Sequence, residues 1–330
     1  MTLTVAVTGP TGEIGISAVD ALERDPAVGR IVGMARRPFD SAAHGWTKSE
    51  YRQGDILDRS AVDALVADAD VVVHLAYLIM GSREESRRIN LEGTRNVFEA
   101  TVAAARPHRL VYTSSVAAYG YHADNVVPLT EDTPARGSAE HYYSEQKAEC
   151  EGVLREVTDG SNLEVYVLRP CIVAGPKAPA LADSMPWRQV RDKMPVALRS
   201  ATGLLQGVLP LMPDPGVPLQ LVHHDDVASA IALAATGAGK PGAYNLAADG
   251  EISLADVAKA TGTRSVRVPQ TMASAASAVL ARLPMVPAAA EWIHVARSSV
   301  VMDTSRAKNL LGWRPQHSSR ETLDALAATL

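Results

Sequence analysis

The chain has 330 residues, 47% of them hydrophobic and 21% charged, with a formal net charge of −5. That balance fits a globular protein, one large domain or a domain with a smaller lobe, and it leaves no basic footprint for nucleic acid. Two cysteines, Cys150 and Cys171, are too few for a disulfide framework and lack metal-ligand spacing, which points to a reducing compartment.

The opening residues, MTLTVAVTGPTG, carry no basic segment and become turn-like at once, unlike a secretory signal, so the expected location is the cytoplasm. Short β-rich runs then alternate with helical patterns: LTVAVTG, EIGISAVDALERD, RIVGMA, RSAVDALVAD, DVVVHLA, a helix around 86–105, and RLVYTSS. A helix carrying Tyr143 and Lys147 and the strand LEVYVLRP at 163–170 complete the series. This alternation predicts an α/β, Rossmann-type fold over residues 1–173, a doubly wound parallel sheet with helices on both faces. After Pro170 the sequence becomes apolar and proline-punctuated. Residues 174–330 are therefore expected to form mainly a smaller C-terminal substrate lobe, with part of 219–250 returning to the sheet. The apolar stretch 271–296 is broken by Arg282, Pro284, Pro287 and Glu291, which excludes a membrane span there.

Positions 8–15 read TGPTGEIG between the first strand and a helix. Gly9, Gly12 and Gly15 permit a tight turn, a close approach of backbone to a pyrophosphate and close helix–strand packing, and the helix N-terminus offers N–H donors to the phosphates. Gly9, Thr11, Gly12, Glu13, Ile14 and Gly15 are thus candidate dinucleotide-binding residues. The second strand ends RIVGMARRP, with Ala35 where an NAD site places a carboxylate and Arg36 and Arg37 next. Guanidinium matches phosphate geometry, so the expected cofactor is NADP(H), with NAD(H) the alternative.

In HYYSEQKAEC, at 141–150, the spacing of four puts Tyr143 and Lys147 over one helix face, whereas Tyr142 stands about 140° away from Lys147. An ammonium beside a phenol favours the phenolate and brings a tyrosine toward the range of a general acid or base.

These pieces, together with GDI at 54–56, HLA at 74–76, NLEGTRNV at 90–97, TSSVAAYG at 113–120, LRP at 168–170 and LGWRP at 311–315, resemble in order and spacing the extended branch of the short-chain dehydrogenase/reductase superfamily, the NAD-dependent epimerase/dehydratase family. The resemblance implies that Asp55 and Ile56 border the adenine, that Leu75 and Ala76 approach the middle of the cofactor, and that Pro170 and Ile172 belong to the cofactor-binding set. It selects Ser115 over Ser114 as the serine that hydrogen-bonds the substrate oxygen. It makes Tyr143 the proton-transfer residue and Lys147 its partner and holder of the nicotinamide ribose. Asn90 resembles the asparagine that supports the lysine through water, or else it serves only the start of its helix. The family's helices bearing Asn90 and Tyr143 often build a homodimer, which is the expected assembly.

Departures from the family pattern narrow the chemistry. Val116 and Ala117 follow Ser115 where sugar-nucleotide dehydratases carry Asp–Glu, which argues against dehydration. LRPCIVAGP at 168–176 is closer to the reductase and hydroxysteroid-dehydrogenase pattern than to the asparagine-containing strand end of sugar-nucleotide epimerases. The expected activity interconverts a carbonyl and a secondary alcohol on a fairly apolar small molecule. A redox-neutral epimerase with retained cofactor is the alternative. A non-catalytic dinucleotide sensor is a further one, although such proteins commonly lose the tyrosine or the lysine. His223, His224, Asp225 and Asp226 resemble a ligand cluster, but neighbouring strand positions face opposite ways and Asp before VASAIALAA suits a helix N-cap, so no metal is expected. Cys150 and Cys171 read as small buried side chains, and Arg188, Arg191 and Lys193 as a solvated helix face.

Overall fold

A computed structural model describes residues 2–79, 81–183, 212–269 and 299–330. Arg188, Arg191, Lys193 and the 271–296 stretch lie outside the described residues.

Seven parallel strands form the central sheet: β1 (Leu3–Thr8), β2 (Val28–Ala35), β3 (Ser49–Gln53), β4 (Val71–His74), β5 (Arg109–Thr113), β6 (Glu164–Pro170) and β10 (Gly242–Leu246). Their order is β10-β6-β5-β4-β1-β2-β3. Alternate side chains go to opposite faces, so Val5 and Val7 of β1 join one apolar layer and Ala6 joins the other. The first layer is closed by α1 (Glu13–Arg24), through Ala18, Val19 and Leu22, and by a helix at His224–Ala235, through Val227 and Ile231. The second is closed by α2 (Arg59–Val66), α4 (Thr94–Ala103) and α5 (Tyr142–Thr158), through Val62, Leu65, Val97, Phe98, Cys150 and Leu154. Both cysteines are buried, as their residue type favours.

The helix expected around 86–105 begins as α3 (Arg83–Arg87), passes through a π-helical turn at Arg88–Gly93 that contains Asn90, and continues as α4. Strand β3 was not expected, because Ser-Glu-Tyr-Arg-Gln shows no apolar alternation. It lies at the sheet edge beside β2, where charged side chains are at home and discourage further strand pairing.

Beyond the C-terminal edges of these strands sit the pairs β7 (Ile172–Ala174) with β9 (Leu221–His223) and β8 (Met212–Asp214) with β11 (Ser265–Arg267), and the short helix α6 (Ala180–Asp183). A separate apolar cluster holds this region. It joins Ala174 and Leu221 to Leu254 and Val257 of α8 (Leu254–Ala260) and to Leu323 and Leu326 of α9 (Ser319–Ala327). The helix at His224–Ala235 is accordingly α7. Among the described residues no helix is long and apolar enough to cross a membrane.

Candidate functional site

The glycine turn is dictated by space. Gly9 adopts φ +74°, and a Cβ there would lie 2.7 Å from the amide nitrogen of Ala76 at the end of β4. A Cβ on Gly15 would overlap the carbonyl oxygen of Gly9, so α1 packs against the turn only because position 15 has no side chain. Gly12 is exposed and caps α1 without any side-chain hydrogen bond, leaving the helix N-terminus to a ligand. Glu13 accepts a hydrogen bond from the Ala180 amide at 3.1 Å and ties the turn to the lobe beyond the sheet.

Ser115 stands where β5 ends and a 3₁₀ turn at Val116–Tyr119 begins, and its Oγ accepts from the Ala117 amide at 3.2 Å. Ser114 is used differently. Its hydroxyl donates to Glu151 at 2.7 Å, and Glu151 pairs with the buried guanidinium of Arg169 at 2.6 Å. Arg169 also donates to the Tyr119 hydroxyl at 2.9 Å, so a buried polar network holds the turn that presents Ser115.

Helix α5 begins at His141, whose Nδ1 accepts the Ser144 amide at 3.3 Å. One turn in, Tyr143 and Lys147 stack along a single face, with the Lys147 Nζ 5.9 Å from the Tyr143 ring centre. Tyr142 points elsewhere and donates to the Ile79 carbonyl at 3.2 Å. Lys147 is buried and donates to the Thr113 carbonyl at 3.1 Å. Loss of solvation is the largest influence on it and lowers its pKa to about 8, against the opposing pull of Cys150 and Glu151.

The turn, Ser115, Tyr143 and Lys147 open on one cavity of about 520 Å³. Its wall also includes Leu75, Pro170 and Ile172. The Thr113 hydroxyl is buried in that wall with no protein hydrogen-bond partner. A glycine cradle that a Cβ would fill, an uncapped helix N-terminus and an unpaired buried hydroxyl together fit a dinucleotide. Residues 5–247 match the family model described as the NAD dependent epimerase/dehydratase family.

The chain belongs to the NAD-dependent epimerase/dehydratase family.

A Mycobacterium tuberculosis relative, Rv0501, is 24% identical over 327 residues, covering 97% of this chain and 82% of its own. Human 3 beta-hydroxysteroid dehydrogenase type 7 is 32% identical over 193 residues, 52% of this chain and 51% of its own. Among solved structures, gox2253 superposes with a TM-score of 0.73 at 25% identity, over 100% of this chain and 98% of its own. The UDP-glucose 4-epimerase of Thermotoga maritima, solved with UDP-glucose, superposes with a TM-score of 0.70 at 19% identity, over 99% of this chain and 98% of its own.

Other candidate site residues lie outside the cavity wall. Ala76 reaches the site as backbone behind Gly9, and Thr11 is half-buried in the turn without lining the cavity. Ile56 is buried beneath α4, and the Asp55 carboxylate accepts the Leu57 amide at 3.0 Å. Arg36 and Arg37 are exposed, and neither guanidinium pairs with a carboxylate among the described residues. Tyr51 holds their turn by donating to the Ala35 carbonyl at 2.8 Å and to the Arg37 carbonyl. Asn90 is wholly buried, and its amide is engaged: Oδ1 accepts the Leu78 amide at 2.8 Å, and Nδ2 donates to the Leu78 carbonyl at 3.0 Å and to Gln146 at 2.9 Å.

Two corrections concern the histidine cluster of this family member. The N-cap of α7 is His223, whose Nδ1 accepts the Asp225 amide at 3.2 Å, and not an aspartate. Asp226 instead accepts the Gln316 amide at 2.8 Å and the His317 amide at 3.1 Å, anchoring the C-terminal segment. His223, His224 and Asp225 lie close enough to hold a metal, but His224 accepts the Lys177 amide through Nε2 at 3.2 Å and faces Ser17 and Asp225 through Nδ1. No lone pair of His224 remains for an ion.

Among the cavity-wall residues that the sequence did not single out are Tyr77, Thr113 and His141. None belongs to a spacing rule. The available signal was position alone, directly after HLA, directly before the serines and directly before the tyrosines.

Proposed function

We propose that this chain is an NADP(H)-dependent oxidoreductase that interconverts a carbonyl and a secondary alcohol. The observation that carries the reading is the convergence of Ser115, Tyr143 and Lys147 on the cavity floored by the glycine turn. The dinucleotide, when bound, supplies or accepts the hydride. Gly9, Gly12, Glu13, Ile14 and Gly15 would hold its phosphates, with Leu75, Pro170 and Ile172 along its length. Ser115 donates to the substrate oxygen, and Tyr143 gives a proton to that oxygen or takes one from it. Lys147, a cation within reach of the Tyr143 ring, stabilises negative charge that develops on the phenol oxygen.

Arg36 and Arg37, at the end of β2 and unpaired among the described residues, support NADP(H) over NAD(H). The apolar wall, with Val116, Ala117, Ile172, Val173 and Leu181, supports a substrate less polar than a nucleotide sugar. The match to the human hydroxysteroid dehydrogenase points the same way. A homodimer through α4 and α5 belongs to this reading.

The test is to denature freshly purified protein and identify any nucleotide released, then to assay the protein with ketones and aldehydes. An empty protein that binds NADPH and reduces such a substrate, with Tyr143→Phe keeping the binding and losing at least a hundredfold in turnover, supports the oxidoreductase (~10²–10⁴ for a general acid–base group). Stoichiometric, tightly held NAD(P)⁺ would replace it with a redox-neutral epimerase. Full activity of Tyr143→Phe would overturn the residue assignment.

A further inference from the structure

Lys147 has three N–H donors to satisfy in a buried site. One goes to the Thr113 carbonyl at 3.1 Å. The related pattern would give another to a water ordered by Asn90, but both N–H donors and one lone pair of the Asn90 amide already serve Leu78 and Gln146. In that direction lies a ring: Lys147 Nζ is 3.6 Å from the centre of the Tyr77 ring. We propose that the face of Tyr77 seats the Lys147 ammonium, which makes Tyr77 a positioning residue of the site.

The geometry ties Tyr77 to both members of the pair. Its ring meets that of Tyr143 edge-on, at 5.5 Å between centres and 82° between planes. Asn90 acts one step back, since it clamps both backbone groups of Leu78 and so fixes the segment that carries Tyr77. The Tyr77 hydroxyl is buried near Asn90 without a hydrogen bond of ordinary geometry. The ring therefore contributes its π face, and the third ammonium N–H is left to the cavity. A cation over a desolvated aromatic face is stabilised as a cation.

Other groups around the ammonium set the background. From β5, the Tyr112 ring lies 5.4 Å from Nζ, and His74 of β4 is kept neutral by its burial and then by the Lys147 charge, which lower its pKa to about 3. From α5 itself come Tyr143, Cys150 and Glu151. Of these three rings that of Tyr77 lies nearest to Nζ, and its substitution leaves the others in place.

This proposal rests on the oxidoreductase reading only for its catalytic consequence, so its test uses cofactor-free protein. With lysine labelled at ¹³Cε, the chain's seven lysines give few signals, and that of Lys147 is identified by its loss in Lys147→Met. Its titration is followed in wild type, Tyr77→Phe and Tyr77→Leu. Tyr77→Phe keeps the ring and should keep the midpoint, whereas Tyr77→Leu should lower it by about one pH unit. A Tyr77→Leu midpoint equal to that of wild type overturns the proposal, as does a rise toward the ordinary lysine value, which would mean that the ring chiefly excludes water. A shift in Tyr77→Phe as large as in Tyr77→Leu would assign the effect to the hydroxyl and overturn it as well. Failure of wild type to bind NADPH would strike the oxidoreductase reading and leave these midpoints unchanged.

Discussion

Lys147 is a residue that lowers the stability of the fold it serves. Its pKa falls from an ordinary 10.5 to about 8 because burial disfavours the ammonium. Below pH 8 both folded and unfolded chains carry the proton, and the folded state bears the whole penalty. Between pH 8 and 10.5 the unfolded chain binds more protons than the folded one, so stability rises with pH across that window. Lys147→Met should therefore unfold at higher urea concentration than wild type at pH 7, by on the order of 3 kcal/mol, and the advantage should shrink by pH 9.5. A gain that is the same at both pH values would show that the ammonium is not the source. The spacing of four made Tyr143 and Lys147 legible in the sequence, because helix geometry maps spacing onto a face. Tyr77 was not legible, since its approach to Lys147 depends on how the segment after β4 folds against α5.

Helix α5 carries a second buried charge with a different task. Glu151, 2% exposed, pairs with Arg169 of β6 at 2.6 Å and receives the Ser114 hydroxyl, so helix, strand and serine turn share one carboxylate. Removing one partner of such a pair strands the other charge in a poorly solvated place. Glu151→Ala should cost about 3–5 kcal/mol in urea unfolding and should lower turnover through the displaced Ser115 turn. A loss below about 1 kcal/mol, the range of an exposed pair, would contradict the burial. Elements with strong periodicity or continuous apolar runs were legible in the sequence, among them β1, β4, α1 and α5. Strand β3 and the three-residue pairs β7–β9 and β8–β11 were not, because they are polar or too short to show a period and are set by their neighbours. The cap of α7 was misassigned for a related reason: aspartate is the commoner cap, but Asp226 is drawn to the 316–317 amides.

Across the whole molecule, a dinucleotide would bridge several elements, from the turn after β1 and the arginines after β2 to α5 and the segment after β6. A ligand that binds only the folded chain stabilises all of these at once, by about 2.7 kcal/mol at one hundred times its dissociation constant. NADPH and NADH at equal concentration therefore compare the two arms of the cofactor preference without a known substrate. The exposed guanidinium of Arg36, unpaired among the described residues, should give NADPH the larger rise in melting temperature, and that excess should diminish with added salt, as expected for a charge at the surface. Arg36→Ala should bring the NADPH rise down toward that of NADH while leaving the NADH rise unchanged. An NADPH response untouched by Arg36→Ala would remove the arginine from the site, and a larger rise with NADH in wild type would make the cofactor NAD(H). Either result would leave the cavity, Ser115, Tyr143 and Lys147 in their places, because the end of β2 lies three strands away from β5, which leads into Ser115.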